Sequence, residues 1–236
     1  MTAAAVLAEA HTVFYKQQAI TLVGHAHDHI TRIWRNTGKF YEHQLLEAIH
    51  AYDLPGVYAD VGAHVGNHAV FFATMCRATQ VIACEASARN LQLLSRNVVA
   101  QSTSATLRGA ITVVPQPMGT GLDTVEVCEL STTNTGMDCV LQSQKATARH
   151  TWALDNTLSE VVQGQDRVAV LKIDVEGFEM PVLHGARLTI EADRPLIVIE
   201  AATPRAHIAQ SEWLLARDYK IVGQYNATPT FIWEPR

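Results

Sequence analysis

The chain has 236 residues, 48% of them hydrophobic and 17% charged, with a formal net charge of −5. That balance fits one globular domain and excludes disorder, collagen-like repeats and coiled coil. An acidic chain offers no counterion-release footprint for nucleic acid or for an anionic membrane, so the expected partner is a small molecule or a glycan.

The most apolar runs, Val168 to Ile173 and Pro195 to Ile199, fall far short of the ~20 residues that cross a bilayer. Met1 to Ala10 is apolar without a basic start, a poor secretory signal. Cys76, Cys84, Cys128 and Cys139 show neither a disulfide framework nor zinc-ligand spacing and read as thiols of a reducing, cytoplasmic compartment. Residues 1–50 precede the main pattern and are expected to form helices capping the strand ends.

From residue 56 apolar strands alternate with helical segments. Gly56 to Val61 is a strand ending in a glycine turn at Gly62, and Asn67 to Met75 a helix. Val81 to Glu85 and Ser87 to Val98 repeat the plan, and Ile111 to Pro115 is a third strand. Asp123 to Asn156 is too long for a simple connection and carries β-like runs at 124–130 and 150–154; such excess is often functional. Val168 to Asp174 and Pro195 to Glu200 are further strands, separated by a helix from Pro181 to Ala192, with Pro181 suited to a first turn. A helix at Ser211 to Arg217 precedes an antiparallel pair, Tyr219 to Gln224 and Thr230 to Trp233. Continuous apolar strands joined by helices predict a doubly wound, mostly parallel α/β sheet with that pair at one edge.

In such a sheet ligands bind outside the carboxyl ends of the strands. The loop Asp60-Val-Gly62-Ala-His-Val-Gly66-Asn67 has two glycines with three residues between them, not the Gly-x-Gly-x-x-Gly of a dinucleotide site. Gly62 suits a sharp turn and Gly66 opens the next helix. Glu85 ends the second strand where an acid takes ribose hydroxyls. Adenosine without a diphosphate points to S-adenosylmethionine.

These features resemble the FkbM family of S-adenosylmethionine-dependent methyltransferases. The match rests on Asp60-Val-Gly-Ala-His-Val-Gly-Asn-His-Ala-Val-Phe-Phe-Ala73, Glu85 with Asn97, Leu171-Lys-Ile-Asp-Val-Glu-Gly-Phe-Glu179, Val182-Leu-His-Gly-Ala186 and Arg194-Pro-Leu-Ile-Val-Ile-Glu200. Weaker echoes are Asp28-His-Ile30, Gly38 to Glu42, Met118-Gly119 and Leu154-Asp155. His64 stands where the family usually has asparagine.

The resemblance implies a seven-stranded, Rossmann-like class I methyltransferase domain over residues 51–236, capped by residues 1–50. It implies that Asp60, Gly62, Ala63, His64, Gly66 and Asn67 serve the methionine and ribose side of the cofactor. Glu85 should hold the ribose, Ala86 and Met118 flank the adenine, Tyr41 and Glu42 close over the amino-acid end, and Asp174 lie near the sulfonium or ammonium. The implied activity is O-methylation of a hydroxyl on a sugar, glycan or polyketide-type natural product. N-methylation of a small molecule, and a non-catalytic binding protein on the same fold, are the alternatives.

A hydroxyl acceptor must lose a proton, and Asp174, Glu176 and Glu200 are the candidate bases. Asp174 and Glu176, with Asp155 as a third oxygen ligand, could instead hold a divalent metal; carboxylates beside a cationic cofactor need no ion to explain them. Lys172 reads as structural. His25, His27 and His29 would share one face of an extended segment and could bind a metal; the favoured reading is a polar loop at the cleft mouth, with His27 and His29 touching substrate. His68 is expected to support the glycine loop. His184 reads as structural, and Trp152, Trp213 and Trp233 as core or cleft wall.

Overall fold

The computed structural model describes residues 7–131, 133–162, 164 and 166–236; the opening apolar stretch lies mostly outside them. Where helices were expected first, Ala8–Tyr15 (β1) and Gln18–His25 (β2) pair as an antiparallel hairpin. Val13, Ile20 and Leu22 are buried while Phe14, Ala19 and Thr21 are exposed, the two-residue period of a half-buried ribbon. Helices do follow. Asp28 caps His29–Thr37 (α1) by accepting from the Ile30 N–H, Gly38 ends it in the left-handed region, and His43–Ala51 (α2) comes next.

The core then runs through Gly56–Val61 (β3), Asn67–Met75 (α3), Ala78–Cys84 (β4), Ala88–Gln101 (α4) and Ala110–Val114 (β5). The long excursion is built from Met118–Gly119 (β6), Thr124–Cys128 (β7), Cys139–Gln142 (β8), Arg149–His150 (β9) and Trp152–Ala153 (β10), followed by Leu154–Val161 (α5). Three of these strands form their own small sheet in the order β8-β7-β9, while β10 runs parallel to β6. The chain closes with Val168–Ile173 (β11), Glu179–Gly185 (α6), Arg187–Asp193 (α7), Leu196–Glu200 (β12), Pro204–Leu215 (α8), Tyr219–Tyr225 (β13) and Thr230–Pro235 (β14).

The central sheet has seven strands in the order β13-β14-β12-β11-β3-β4-β5. Its five inner and far-edge strands are parallel, and β14 and β13 are antiparallel. All six residues of β3 are buried, as expected for a strand covered on both faces. One apolar cluster, with Trp34, Phe71 and Phe72, lies under α1 to α4; the other, with Leu183, Ile199 and Trp233, lies under α5 to α8. Strand order reverses between β3 and β11, which opens a crevice at their carboxyl ends. Among the described residues no helix is long and apolar enough to cross a membrane.

The single helix expected over 181–192 is two, broken at Ala186. A Cβ on Gly185 would stand 1.9 Å from the Gly119 carbonyl oxygen, so α6 can lie against β6 only through a glycine. Asp155 supplies the other half of the break. Its carboxylate accepts from the Leu188 and Thr189 N–H groups at 2.9 and 2.8 Å and from the Thr189 hydroxyl at 2.7 Å, satisfying the start of α7. It caps that helix and stands apart from both the cavity lining and the group of acids that could hold a metal. Asp155→Ala is expected to cost about 1 kcal/mol, read by urea unfolding, without loss of ligand binding. Trp233 is core, whereas Trp152 is 43% exposed and walls nothing off. Trp213 packs against the core cluster and stacks on His184 at 6.0 Å, and His184 itself is exposed.

Candidate active site

A cavity of about 450 Å³ opens where the strand order reverses. Its floor is the glycine loop. The Gly62 and Ala63 N–H groups both donate to the Cys84 carbonyl, and the Asp174 N–H donates to the Val61 carbonyl, so the ends of β4, β3 and β11 meet there. Gly62 has φ +84°, and a Cβ on it would lie 1.7 Å from the Asp174 carbonyl oxygen. A main-chain atom cannot step aside. Gly62→Ala is therefore expected to cost at least ~1–2 kcal/mol from the backbone conformation alone, plus the clash; thermal unfolding checks it.

Glu85 reaches into the cavity with its carboxylate held by the His64 N–H at 2.8 Å and the Ser87 N–H at 2.7 Å. Burial pushes its carboxyl up to about 7 against those two hydrogen bonds. With the Ala86 N–H as a third main-chain donor, the carboxylate still keeps acceptor capacity for a ligand hydroxyl. Ala86 and Met118 also line the space, and Val140 joins them from the excursion.

Asn67 lines the cavity too, and its amide oxygen and one of its two N–H donors are held by the protein. Its oxygen accepts from Trp34 Nε1 and the Tyr41 N–H, and its nitrogen donates to the Tyr41 carbonyl. It fixes Tyr41, whose phenol stays protonated because burial and then Glu42 and Asp174 raise it. His68 Nε2 stands 3.1 Å from Glu42, as a support for that segment would.

Across the cavity stand Asp174, Glu176 and Glu200. One oxygen of each lies within 4.8 Å of the others. Burial, then Asp174 and Glu179, pushes the Glu176 carboxyl up to about 7; burial, then Asp174 and Glu176, pushes Glu200 up to about 9. The chain is not extended through this group: β11 ends at Ile173, Glu176 has φ 52°, and Gly177 has φ 100°. Glu179 secures the turn by accepting from the Val175 and Gly177 N–H groups. Such an oxygen trio could hold a divalent cation. The Lys172 ammonium, 3.4 Å from Asp174, already supplies a positive charge.

Several expected contacts lie elsewhere. Asp60 is fully buried and outside the cavity lining; it faces Lys172 as its cross-strand partner at 3.1 Å. Gly66 stands behind the loop as the N-cap of α3 with φ 93° and does not line the cavity. His27 is exposed and outside it, whereas His29 lines it and packs edge-on against Tyr41. His25 ends β2 and bonds Asn90, and His29 begins α1, so the three histidines share no strand face.

The excursion, singled out only for its length, forms the roof. Asn134, Gly136, Met137, Asp138 and Val140 line the cavity from above. Two anchors hold this roof down. Thr135 bonds Asp28, and Asp138 takes Arg89 and the Ser87 hydroxyl. The β13–β14 turn adds Asn226 and Thr228 at the rim. Six carboxyl groups line the cavity, those of Glu42, Glu85, Asp138, Asp174, Glu176 and Glu200, against one ammonium, Lys172. That field suits a cationic ligand and opposes phosphates.

The sequence profile described as "Methyltransferase FkbM domain" matches residues 60–221. Among solved structures, the methyltransferase FkbM from Methylobacillus flagellatus KT aligns with a TM-score of 0.56 and 19% identity, over 77% of this chain and 44% of its own. The present chain thus spans less than half of that protein's length. Ribosomal protein L11 methylase from Lactobacillus delbrueckii subsp. bulgaricus aligns with a TM-score of 0.50 and 12% identity, over 83% of this chain and 79% of its own. Precorrin 8w decarboxylase from Methanobacterium thermoautotrophicum gives 0.50 and 12%, over 82% and 90%. At these identities the likenesses show the fold alone. No curated protein matches the sequence.

Proposed function

Because the chain belongs to the FkbM methyltransferase family, we propose that it binds S-adenosylmethionine in this cavity and methylates a hydroxyl of a sugar, glycan or polyketide-type natural product. One observation carries the reading: the glycine loop and Glu85 share a single acidic cavity with the trio Asp174, Glu176 and Glu200. The residues fit the cofactor by chemistry. Carboxyl groups dominate, no arginine lines the cavity among the described residues, and Glu85 has free lone pairs.

When bound, S-adenosylmethionine supplies an electrophilic methyl group on a cationic sulfur. The chain's own task is positioning and proton transfer. Holding acceptor and donor in line in a closed site contributes roughly 7–11 kcal/mol. Tyr41 and the roof from Asn134 to Val140 exclude water. Glu176, with a carboxyl at about 7, accepts the acceptor's hydroxyl proton as the new bond forms, and Glu200, at about 9, keeps its own proton at neutral pH. Asp174 is held by Lys172 and faces the cation. The resemblance, not the cavity, supplies the acceptor class.

Calorimetric titration with S-adenosylmethionine, S-adenosylhomocysteine and NAD tests the cofactor. The first two are expected to bind; binding of NAD alone ends the reading. Mass spectrometry of products from an acceptor panel with labelled methyl donor then locates the methyl on oxygen or on nitrogen.

A further inference from the structure

A chain of hydrogen bonds joins α1, the roof and the glycine loop. Asp28 and Thr135 are each 1% exposed. The Asp28 carboxylate accepts from the Thr135 N–H at 2.6 Å, the Thr135 hydroxyl at 2.9 Å and the Ile30 N–H at 2.8 Å. His64 Nε2 lies 2.7 Å from the same hydroxyl. A carboxylate holding main-chain donors on both oxygens is ionised and only accepts. The Thr135 proton therefore points to Asp28, the hydroxyl has only acceptor capacity left for His64, and Nε2 must carry the ring proton. Nδ1 is then a bare lone pair. Among the described residues it is buried with no partner, and His64 lines the cavity. Its backbone is held in the left-handed region at φ 52°, a conformation that persists only where the surroundings impose it.

We infer that Asp28 and Thr135 are positioning residues that fix His64 as the neutral Nε2–H tautomer, so that Nδ1 is a preset acceptor for an N–H or O–H donor of the bound adenosyl ligand. The ligand half of this inference rests on the cofactor reading above; the tautomer half does not. Burial pushes the imidazole down to about 4, in keeping with a neutral ring. An unpaired buried acceptor is costly until a ligand meets it. The arrangement also makes the roof report on the loop: Thr135 cannot leave without releasing the tautomer.

The test is long-range ¹H–¹⁵N correlation of ¹⁵N-histidine-labelled protein, with the His64 signals assigned by their loss in His64→Asn. The Nε2–H pattern is expected in the ligand-free chain. Thr135→Val should convert it to a tautomer mixture, and Thr135→Ser, which keeps the hydroxyl, should restore it. Asp28→Asn should act like Thr135→Val. Adding S-adenosylhomocysteine should shift Nδ1, and 5′-methylthioadenosine, which lacks the amino acid, separates the sources: a shift with both assigns a donor of the nucleoside, a ribose hydroxyl or the adenine amino group, and a shift with the first alone assigns the ammonium. Thr135→Val should weaken S-adenosylhomocysteine binding by about tenfold, with no added loss in a His64→Asn background. An Nδ1–H tautomer or an imidazolium in the free protein overturns the inference. So does calorimetric binding without an Nδ1 shift. Absence of S-adenosylhomocysteine binding instead overturns the cofactor reading and the ligand half with it.

Discussion

Lys172→Met is expected to destabilise the fold by about 3–5 kcal/mol, the cost of leaving a buried charge without its partner. Lys172 sits on β11 directly opposite Asp60 on β3, its side chain 3% exposed and that of Asp60 fully buried. Its ammonium lies 3.1 Å from Asp60 and 3.4 Å from Asp174 and donates to the Gly62 carbonyl at 3.3 Å. Burial would push the ammonium down, but Asp60, then Asp174 and Glu42, hold it above the usual lysine range. Neither Asp60 oxygen has a further hydrogen-bond partner among the described residues, so removing Lys172 strands a charge in the sheet. Against a total stability of about 5–15 kcal/mol the loss is a large fraction. Urea unfolding measures it, and Asp60→Asn combined with Lys172→Met should recover much of it. Lys220→Met, which breaks an exposed pair with Glu234 at 2.7 Å, should cost within ~1 kcal/mol. Equal effects of the two lysine variants would show that the buried pair is not what holds β3 against β11.

The parallel sheet was legible because its strands are continuous apolar runs, and β3 and β11 need no partner segment to be recognised. The hairpin β1–β2 was missed because Val13, Ile20 and Leu22 alternate within a polar context that depends on packing against α3 and α4. Asn97 shows that dependence: its amide bridges the Val23 main chain and the Val65 carbonyl, a contact across 74 residues that no local pattern reveals. At the cavity, Gly62, Glu85 and Asp174 stood out because strand ends carry ligands in this architecture. Asp60 belongs to the same motif yet serves the protein by pairing with Lys172, since a motif fixes residue types and not the direction in which a side chain points. Thr135 and Asp138 could be found only by knowing that the excursion folds back over Glu85; length was its one signal.

Glu176→Gln is expected to lower kcat by about 10²–10⁴-fold while leaving S-adenosylmethionine affinity nearly unchanged, because it removes a proton acceptor and keeps the shape. In the wild type kcat/KM should rise through pH ~7 as Glu176 of the free enzyme ionises, a limb set by its carboxyl at about 7, and the variant should lose that limb. Glu200 should behave differently. Its carboxyl, at about 9, is protonated at neutral pH, so Glu200→Gln imitates its working form and should keep most activity at pH 7. Stability supplies an independent check. A carboxyl raised in the folded state binds more protons than in the unfolded chain, so its contribution is complete below the unfolded value near 4.5 and is lost as pH rises through the folded value. His64 and His50, lowered from 6.5, work in the opposite sense, their contribution growing with pH up to about 6.5. Between pH 6.5 and 9 the carboxyls therefore prevail: Glu85 and Glu176 finish losing near 7, and Glu200 continues to about 9. The melting temperature should fall across that interval, and Glu200→Gln should flatten the fall above pH 7. A melting temperature that rises from pH 7 to 9 would mean that these carboxyls are ionised throughout and that Glu176 sets no activity limb near pH 7, and a Glu200→Gln variant with the wild-type slope would mean that Glu200 is not the group that titrates there.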